Sequence, residues 1–328
     1  MKKPFIIAEI SANHNGSFQK AKALVKAAAN AGASAVKLQT YTPKSMVADP
    51  DYMLIDGPWA GQKLIDLYEK AHTPKVWHKE LFDYARQLNI IPFSSPFDLE
   101  AVDFLESLDC QLYKIASFEI LDLQLIEKCA NTGKPVIIST GMASEEEIRQ
   151  ALQVAGNNAV LLKCTSDYPA TARYANLATM HDMKKRFNVP VGISDHTLGV
   201  GVSAAAVALG ASVVEKHLTL SRKDFGPDST FSMEPKEFAE LVKACDQAYM
   251  AIGKIQYGPT DAESSSVSLR RSLYFTDNLY RGEIVTKEHL KTARPALGIK
   301  PVHAKDIVGR ILQKDVTVNE PVTWEAFL

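Results

Sequence analysis

Eight short runs rich in Val, Ile and Phe recur along the chain with helix-like segments between them. That recurrence limits the fold more than any single motif does. The runs are Phe5–Ser11, Ala35–Thr40, Ile90–Pro96, Leu112–Ser117, Pro135–Thr140, Ala159–Thr165, Pro190–Asp195 and Val213–Thr219. Most follow one another at the spacing of one strand–helix unit. Phe18–Ala31 is Ala- and Lys-rich and stops before Gly32. Glu145, Glu146 and Glu147 follow Ser144, where a helix dipole favours negative charge. Glu234–Ile252 has apolar residues at helical spacing and stops at Gly253. This alternation predicts an α/β fold, a (β/α)8 TIM barrel of parallel strands. An open doubly wound sheet is the rival. It usually has fewer strands and a glycine fingerprint after the first, and this chain has neither. The spacing breaks once. Tyr41–Pro74 is an insertion carrying Pro43, Pro50, Gly57, Pro58, Trp59 and Gly61, expected to form a loop with a short helix.

The barrel domain is expected over residues 1–253, followed by a polar, Ser-rich linker over 254–266. A second small domain is expected over 267–328. It carries a short internal repeat. Gly282-Glu283-Ile284-Val285-Thr286-Lys287-Glu288 aligns with Asn319-Glu320-Pro321-Val322-Thr323-Trp324-Glu325, 37 residues later, with four of seven positions identical.

Composition excludes several classes of function. Lys+Arg 37 against Asp+Glu 38 leaves a net charge of −1, so no basic surface for nucleic acid is indicated. The longest near-apolar stretch, Val200–Val214, is too short to span a bilayer, so no membrane partner is expected. The N-terminal apolar run is broken by Glu9, which makes a poor secretory signal. Cys110, Cys129, Cys164 and Cys245 form no C-x-x-C pair. A cytoplasmic location with reduced thiols is the expectation.

In a barrel the chemistry sits at the C-terminal ends of the strands. Here those ends are polar in every run. The first has Glu9, Ser11 and Asn13 on one face, and the second has Lys37 and Gln39. The third ends in Ser94-Ser95, and the fourth carries Lys114, then Ser117 and Glu119. The fifth ends in Ser139-Thr140, and the sixth in Cys164-Thr165-Ser166 with Tyr168 next. The seventh ends in Ser194-Asp195-His196, and the eighth carries Glu215 and His217. His196 and His217 end neighbouring runs and can converge on one point. Two imidazoles with waters and substrate oxygens suit a divalent ion such as Mn²⁺. The alternative is a pair of hydrogen-bonded rim histidines. His72, His78, His181, His289 and His303 read as surface or helix residues, and His14 is ambiguous. Lys37 and Lys114 are buried-strand lysines, and lysine is rarely buried without a partner. They are either fixed cations for a small anion or a Schiff-base nucleophile.

Several motifs together resemble the sialic acid synthase family. They are Phe5 to Ser17 (FIIAEISANHNGS), Val36 to Thr40 (VKLQT), Ser94 to Phe97 (SSPF), Tyr113 to Ser117 (YKIAS), Ser139 to Met142 (STGM), Gly192 to Thr197 (GISDHT) and Val214 to His217 (VEKH). The end of the chain, including Ala293-Arg294-Pro295, is similar to that family's antifreeze-like (SAF, β-clip) domain. Ser11 and the run Lys163-Cys164-Thr165-Ser166-x-Tyr168-Pro169 look most like the pseudaminic branch. The resemblance implies a barrel followed by the SAF domain. It implies condensation of phosphoenolpyruvate with 2,4-diacetamido-2,4,6-trideoxy-L-altrose, releasing phosphate. N-acetylmannosamine or the legionaminic precursor is the alternative sugar. It also implies a domain-swapped homodimer whose small domain caps the partner's site.

Carried over by motif, His196 and His217 would bind the divalent metal, Mn²⁺ with Mg²⁺ or Co²⁺ as alternatives. Lys37, Ser95, Lys114, Ser117, Ser139, Ser166 and Ser194 would surround phosphoenolpyruvate. Glu9, Gln39, Tyr168 and Asp228 would face the sugar or the reacting water, and Arg294 would reach the sugar from the partner. Ser95 and Ser166 stand where the neuraminic branch has Thr and Asn. A Schiff-base aldolase and a non-catalytic sugar-binding protein are the rival readings.

Overall fold

Strands of a closed parallel sheet are covered on both faces and so need near-continuous apolar runs. In a computed structural model, which describes residues 3–57 and 59–327, the eight runs supply them. They form β1 (Phe5–Glu9), β2 (Ala35–Thr40), β3 (Ile91–Pro96), β4 (Tyr113–Ile115), β5 (Val136–Ser139), β6 (Ala159–Cys164), β7 (Val191–Ser194) and β8 (Val213–His217). The strands hydrogen-bond in chain order, and β8 closes on β1 with Glu9 opposite His217. The protein is a (β/α)8 barrel. Pro58, part of the expected insertion, lies outside the described residues.

Most strands are shorter than the runs that announce them. The ladder ends where the polar tail peels away from the sheet. Ser11 takes a φ of +39° and enters a 3-10 turn, Ser11–His14. Asn13 therefore does not share a strand face with Glu9. It donates to the Leu218 carbonyl (3.0 Å) and to Ser232 Oγ (2.9 Å), tying the β1 and β8 loops together. His78 is also not a surface residue. It is fully buried on the helix Lys75–Gln87, with Nε2 2.9 Å from Thr40 Oγ1. His14 is buried against Thr73 and Trp77.

Local signals set the outer helices. Phe18–Asn30 lays Ala21, Leu24, Val25 and Ala28 into the core at helical spacing. Ser144 and Glu147 cap the helix Glu145–Ala155 reciprocally. Pro235 starts the helix Pro235–Ile252, and Gly253 ends it with a φ of +52°. The insertion holds two helices, Pro43–Met46 and Leu64–Ala71.

The chain divides into two compact units after Gly253. Residues 254–266 are exposed throughout and contain a 3-10 turn, Asp261–Glu263. The second unit pairs β9 (Ser272–Phe275) antiparallel with β10 (Leu290–Ala293) over a core that includes Phe275, Val285, Ile307, Leu312 and Val322. Its two repeat segments take the same local form. Gly282 and Asn319 both adopt left-handed φ values, +93° and +67°. Val285 and Val322 are both fully buried, and each segment runs into a 3-10 turn, Lys287–His289 or Trp324–Ala326.

Candidate active site

The C-terminal ends of the barrel strands surround a cavity of about 380 Å³, large enough for a small ligand. Lys37 reaches it from β2 and Lys114 from β4, each almost fully buried. Between them lies Glu215 of β8. Its Oε1 is 3.5 Å from Lys37 Nζ and 3.7 Å from Lys114 Nζ, and it accepts from Ser194 Oγ at 3.2 Å. Behind Lys37, Glu9 Oε2 makes a 2.5 Å ion pair, and Ser95 Oγ accepts from Nζ at 3.2 Å.

Burial and neighbouring charge distribute protons unevenly over this group. Burial pushes Glu9 up to about 7 against the pull of Lys37, and the Glu215 charge adds to the rise. Burial works against Glu215 too, but Lys114 and Lys37 hold it below the ordinary carboxylate range. Lys37 stays above its usual range because Glu215 and Glu9 outweigh its burial. Lys114 falls below, since burial outweighs Glu215. Lys37 and Lys114 thus face the charged Glu215, while burial suppresses the charge of Glu9, which leaves an anion-attracting floor.

His196, just past β7, and His217, the last residue of β8, bring their rings to 5.4 Å between centroids. His196 Nδ1 lies 2.9 Å from the Thr165 carbonyl. A carbonyl only accepts, so Nδ1 carries a proton; burial pulls His196 down, but its hydrogen bond to Cys164 and the charge there hold it above its ordinary range. His217 Nδ1 is buried with no hydrogen-bond partner. Burial, then the charge of His196, holds His217 well below the ordinary range, so its imidazole is neutral. The neutral His217 fits a divalent ion as it stands, and His196 does so once it gives up the second proton that Cys164 favours. No group of three or more His, Cys, Asp or Glu side chains capable of holding a metal occurs among the described residues. The two histidines would therefore leave the remaining coordination positions to water and substrate oxygens.

Outside the cavity, Asp195 and Lys216 form a 2.8 Å ion pair, each 1% exposed in its side chain. Asp195 also accepts from Ser203 Oγ (2.6 Å) and Thr197 Oγ1 (2.7 Å). These residues alternate with the inward-facing His196 and His217, so the pair cross-links β7 and β8 from behind.

The cavity gathers Lys37, Gln39, Lys114, Ser117, Ser139, Tyr168, Ser194, His196, His217 and Asp228 from the sequence-derived set. Gln39 Nε2 donates to Ser11 Oγ (3.0 Å), which in turn hydrogen-bonds Asp228. Tyr168 packs on His196 at 4.4 Å and on Phe231 at 5.1 Å. Glu9, Ser95 and Ser166 do not line the cavity. Each sits one residue behind it, Ser166 through a 2.7 Å contact with Ser117 Oγ. Gly141 permits that contact, because a Cβ there would lie 2.4 Å from Ser117 Cβ. Arg294 is exposed in the second unit, just after β10.

Sequence reasoning left out Glu215 and Glu119 as site residues. Glu215 was findable, since it alternates with His217 on one strand face. Glu119 follows β4 on a loop with no periodic signal. It lines the cavity, its Oε2 has no hydrogen-bond partner, and burial pushes it up to about 7. Tyr41, Trp59, Leu64, Leu67 and Tyr68 were also not assigned to the site, because the insertion that carries them has no strand register to place them.

Comparison with known proteins adds an independent line. The NeuB family matches residues 24–257, and the SAF domain matches residues 270–328. The chain is 42% identical to the pseudaminic acid synthase of Helicobacter pylori, over 98% of this chain and 97% of that one. It is 38% identical to the N,N'-diacetyllegionaminic acid synthase of Campylobacter jejuni, over 98% and 99%. A crystal structure of N-acetylneuraminic acid synthetase from Leptospira borgpetersenii superposes with a TM-score of 0.73 at 32% identity, covering 81% of this chain and 90% of that one.

Proposed function

The chain belongs to the NeuB family and ends in a SAF domain, and from that premise we propose that it is a pseudaminic acid synthase. The reaction is condensation of phosphoenolpyruvate with 2,4-diacetamido-2,4,6-trideoxy-L-altrose and water, giving pseudaminic acid and phosphate. The observation that carries the reading is the junction of an anion floor, Lys37 and Lys114, with a two-imidazole corner, His196 and His217, in one cavity. Identity to the Helicobacter pylori synthase favours the pseudaminic product over the legionaminic one.

Lys37 and Lys114 hold the carboxylate and phosphate of phosphoenolpyruvate as fixed cations. Ser139, whose Oγ has no hydrogen-bond partner, offers its hydroxyl to the same anion, and Ser194 can do so by turning its proton away from Glu215. Gln39, Tyr168 and Asp228 orient the sugar, so that its aldehyde carbon meets the enol carbon at attack distance. His196 and His217 would hold a divalent metal, Mn²⁺ with Mg²⁺ or Co²⁺ as alternatives. When bound, it supplies Lewis-acid polarisation of the aldehyde oxygen. Glu119, protonated in part at neutral pH, can deliver its proton to that oxygen as the carbon–carbon bond forms. Water then adds to the former enol carbon, one of its protons restoring Glu119, and phosphate leaves by C–O cleavage with the other as the 2-keto group forms. Glu9 acts through Lys37 as a positioning residue.

A homodimer in which the partner's Arg294 reaches the sugar belongs to the same proposal. Phe118, Met142, Leu198 and Phe225 stand 62%, 65%, 63% and 87% exposed on the loops after β4, β5, β7 and β8. An apolar rim of that kind around a polar cavity supports a covering partner. A cytoplasmic location is supported by four free, buried cysteines. No helix among the described residues is long and apolar enough to cross a membrane.

The test is phosphate release from phosphoenolpyruvate with Mn²⁺, each candidate sugar offered separately, with and without EDTA. Release with the altrose sugar, lost with EDTA and restored by metal, is the expected result. Release only with N-acetylmannosamine would move the chain to another branch. The lowered range of Lys114 favours one competing reading, a Schiff-base aldolase. Borohydride added with substrate would trap an adduct on that lysine in the aldolase and none in the synthase.

A further inference from the structure

The cavity is chemically two-sided. Its floor is ionic, but the insertion between β2 and β3 supplies an apolar side. There Met53 pairs antiparallel with Lys63, and Leu54 N donates to the Gln62 carbonyl at 2.9 Å. The hairpin so formed leads into the helix Leu64–Ala71. On that helix Leu64, Leu67, Tyr68 and Ala71 stand at i, i+3, i+4 and i+7, one continuous face, and all four line the cavity. Leu54 and Trp59 extend the same wall. The indole Nε1 of Trp59 already donates to the Pro227 carbonyl (2.9 Å), so the ring offers a ligand only its apolar surface. Leu54, Trp59 and Leu64 are each only half-buried, which leaves apolar area open to whatever fills the cavity.

Against Leu54, Leu64, Leu67, Ala71 and the bonded indole of Trp59 a hydroxyl would lose water without gaining a partner; of these wall residues, Tyr68 alone offers one, through its phenol. The wall favours a methyl group. The altrose sugar carries three methyls, two on its acetamido groups and one at C6. N-acetylmannosamine carries one, and has a hydroxyl at C6. We propose that the Tyr41–Pro74 insertion is the specificity wall of the sugar subsite, selecting a 6-deoxy, bis-acetamido sugar over one with a free 6-hydroxyl. The inference rests on the synthase reading for the identity of the sugar, but the wall itself is a binding surface and is testable by binding alone.

The experiment uses the full chain with Mn²⁺ and compares kcat/KM for the two sugars at saturating phosphoenolpyruvate. Calorimetric binding of each sugar runs in parallel. The variants are L64Q, which puts an amide into the wall at similar size, and A71S, which adds one hydroxyl on the same face and decides the matter if L64Q does not fold. The wild type should prefer the deoxy sugar by about ten-fold or more, and the variants should lose most of that preference with an unchanged KM for phosphoenolpyruvate. An unchanged preference in folded variants, or a wild type with no preference, overturns the wall and leaves the synthase reading standing. Binding of the deoxy sugar that the variants weaken, without any phosphate release, upholds the wall and overturns the synthase reading.

Discussion

Glu119 and Glu215 face the same cavity and differ in charge for a physical reason. Glu215 lies within 4 Å of two lysine ammonium groups, whereas at Glu119 burial outweighs the pull of Lys114. The folded state therefore keeps a proton on Glu119 that the unfolded chain releases near 4.5. Its contribution to stability is present below that value and is lost as pH rises through about 7. Glu119→Gln removes the titration. Its melting temperature is expected to exceed that of the wild type at pH 8, with the margin shrinking toward pH 5. As the proposed proton donor, Glu119 should also cost at least about a hundred-fold in kcat when replaced, and the alkaline limb of the pH–rate profile should flatten. His217→Ala should weaken Mn²⁺ binding by about a hundred-fold or more in calorimetry, while the fold, read by circular dichroism, is retained. Unchanged Mn²⁺ affinity would remove the histidine pair from the metal proposal.

At the scale of elements, β7 and β8 place functional and structural groups on alternate faces. His196 and His217 face the cavity, and Asp195 and Lys216 face the surrounding helices, where Ser203 of Gly201–Ala208 joins them. Lys216→Met leaves Asp195 buried without its cation, a loss of about 3–5 kcal/mol. Chemical denaturation measures it directly, and a loss below about 1 kcal/mol, the size of an exposed pair, would contradict the cross-link. The period-two alternation that separates these faces was readable from the run Ser194-Asp195-His196 and from Glu215-Lys216-His217. The point at which each strand stops was not. Ser11 and Asn13 follow the polar pattern of the first run in sequence, yet hydrogen bonds to Asp228, Leu218 and Ser232 hold them off the sheet, and those partners are more than 200 residues away in the chain. The insertion is the extreme case. Its helix face Leu64-Leu67-Tyr68-Ala71 is a plain amphipathic pattern, and only the closed barrel decides that this face covers the cavity.

For the molecule as a whole, the proposed dimer makes the site depend on two chains, with the barrel of one protomer and Arg294 of the other. His217→Ala and Arg294→Ala proteins should each be inactive. Unfolded together and refolded, they should recover about a quarter of wild-type activity, because half of the dimers are mixed and each mixed dimer holds one intact site. No recovery, with mixed dimers shown to form, would place Arg294 over its own barrel, and an active Arg294→Ala protein would place it outside the reaction. The order of eight strands, their parallel closure, the small second unit with its repeat, and the two lysines and two histidines at the strand ends all followed from local period and spacing, which a linear chain carries in full. Tertiary structure alone decided that Glu9, Ser95 and Ser166 stand behind the cavity and not in it. It also decided that Glu119 and the insertion line the cavity, because burial and charge at those positions come from residues brought across the barrel from distant parts of the chain.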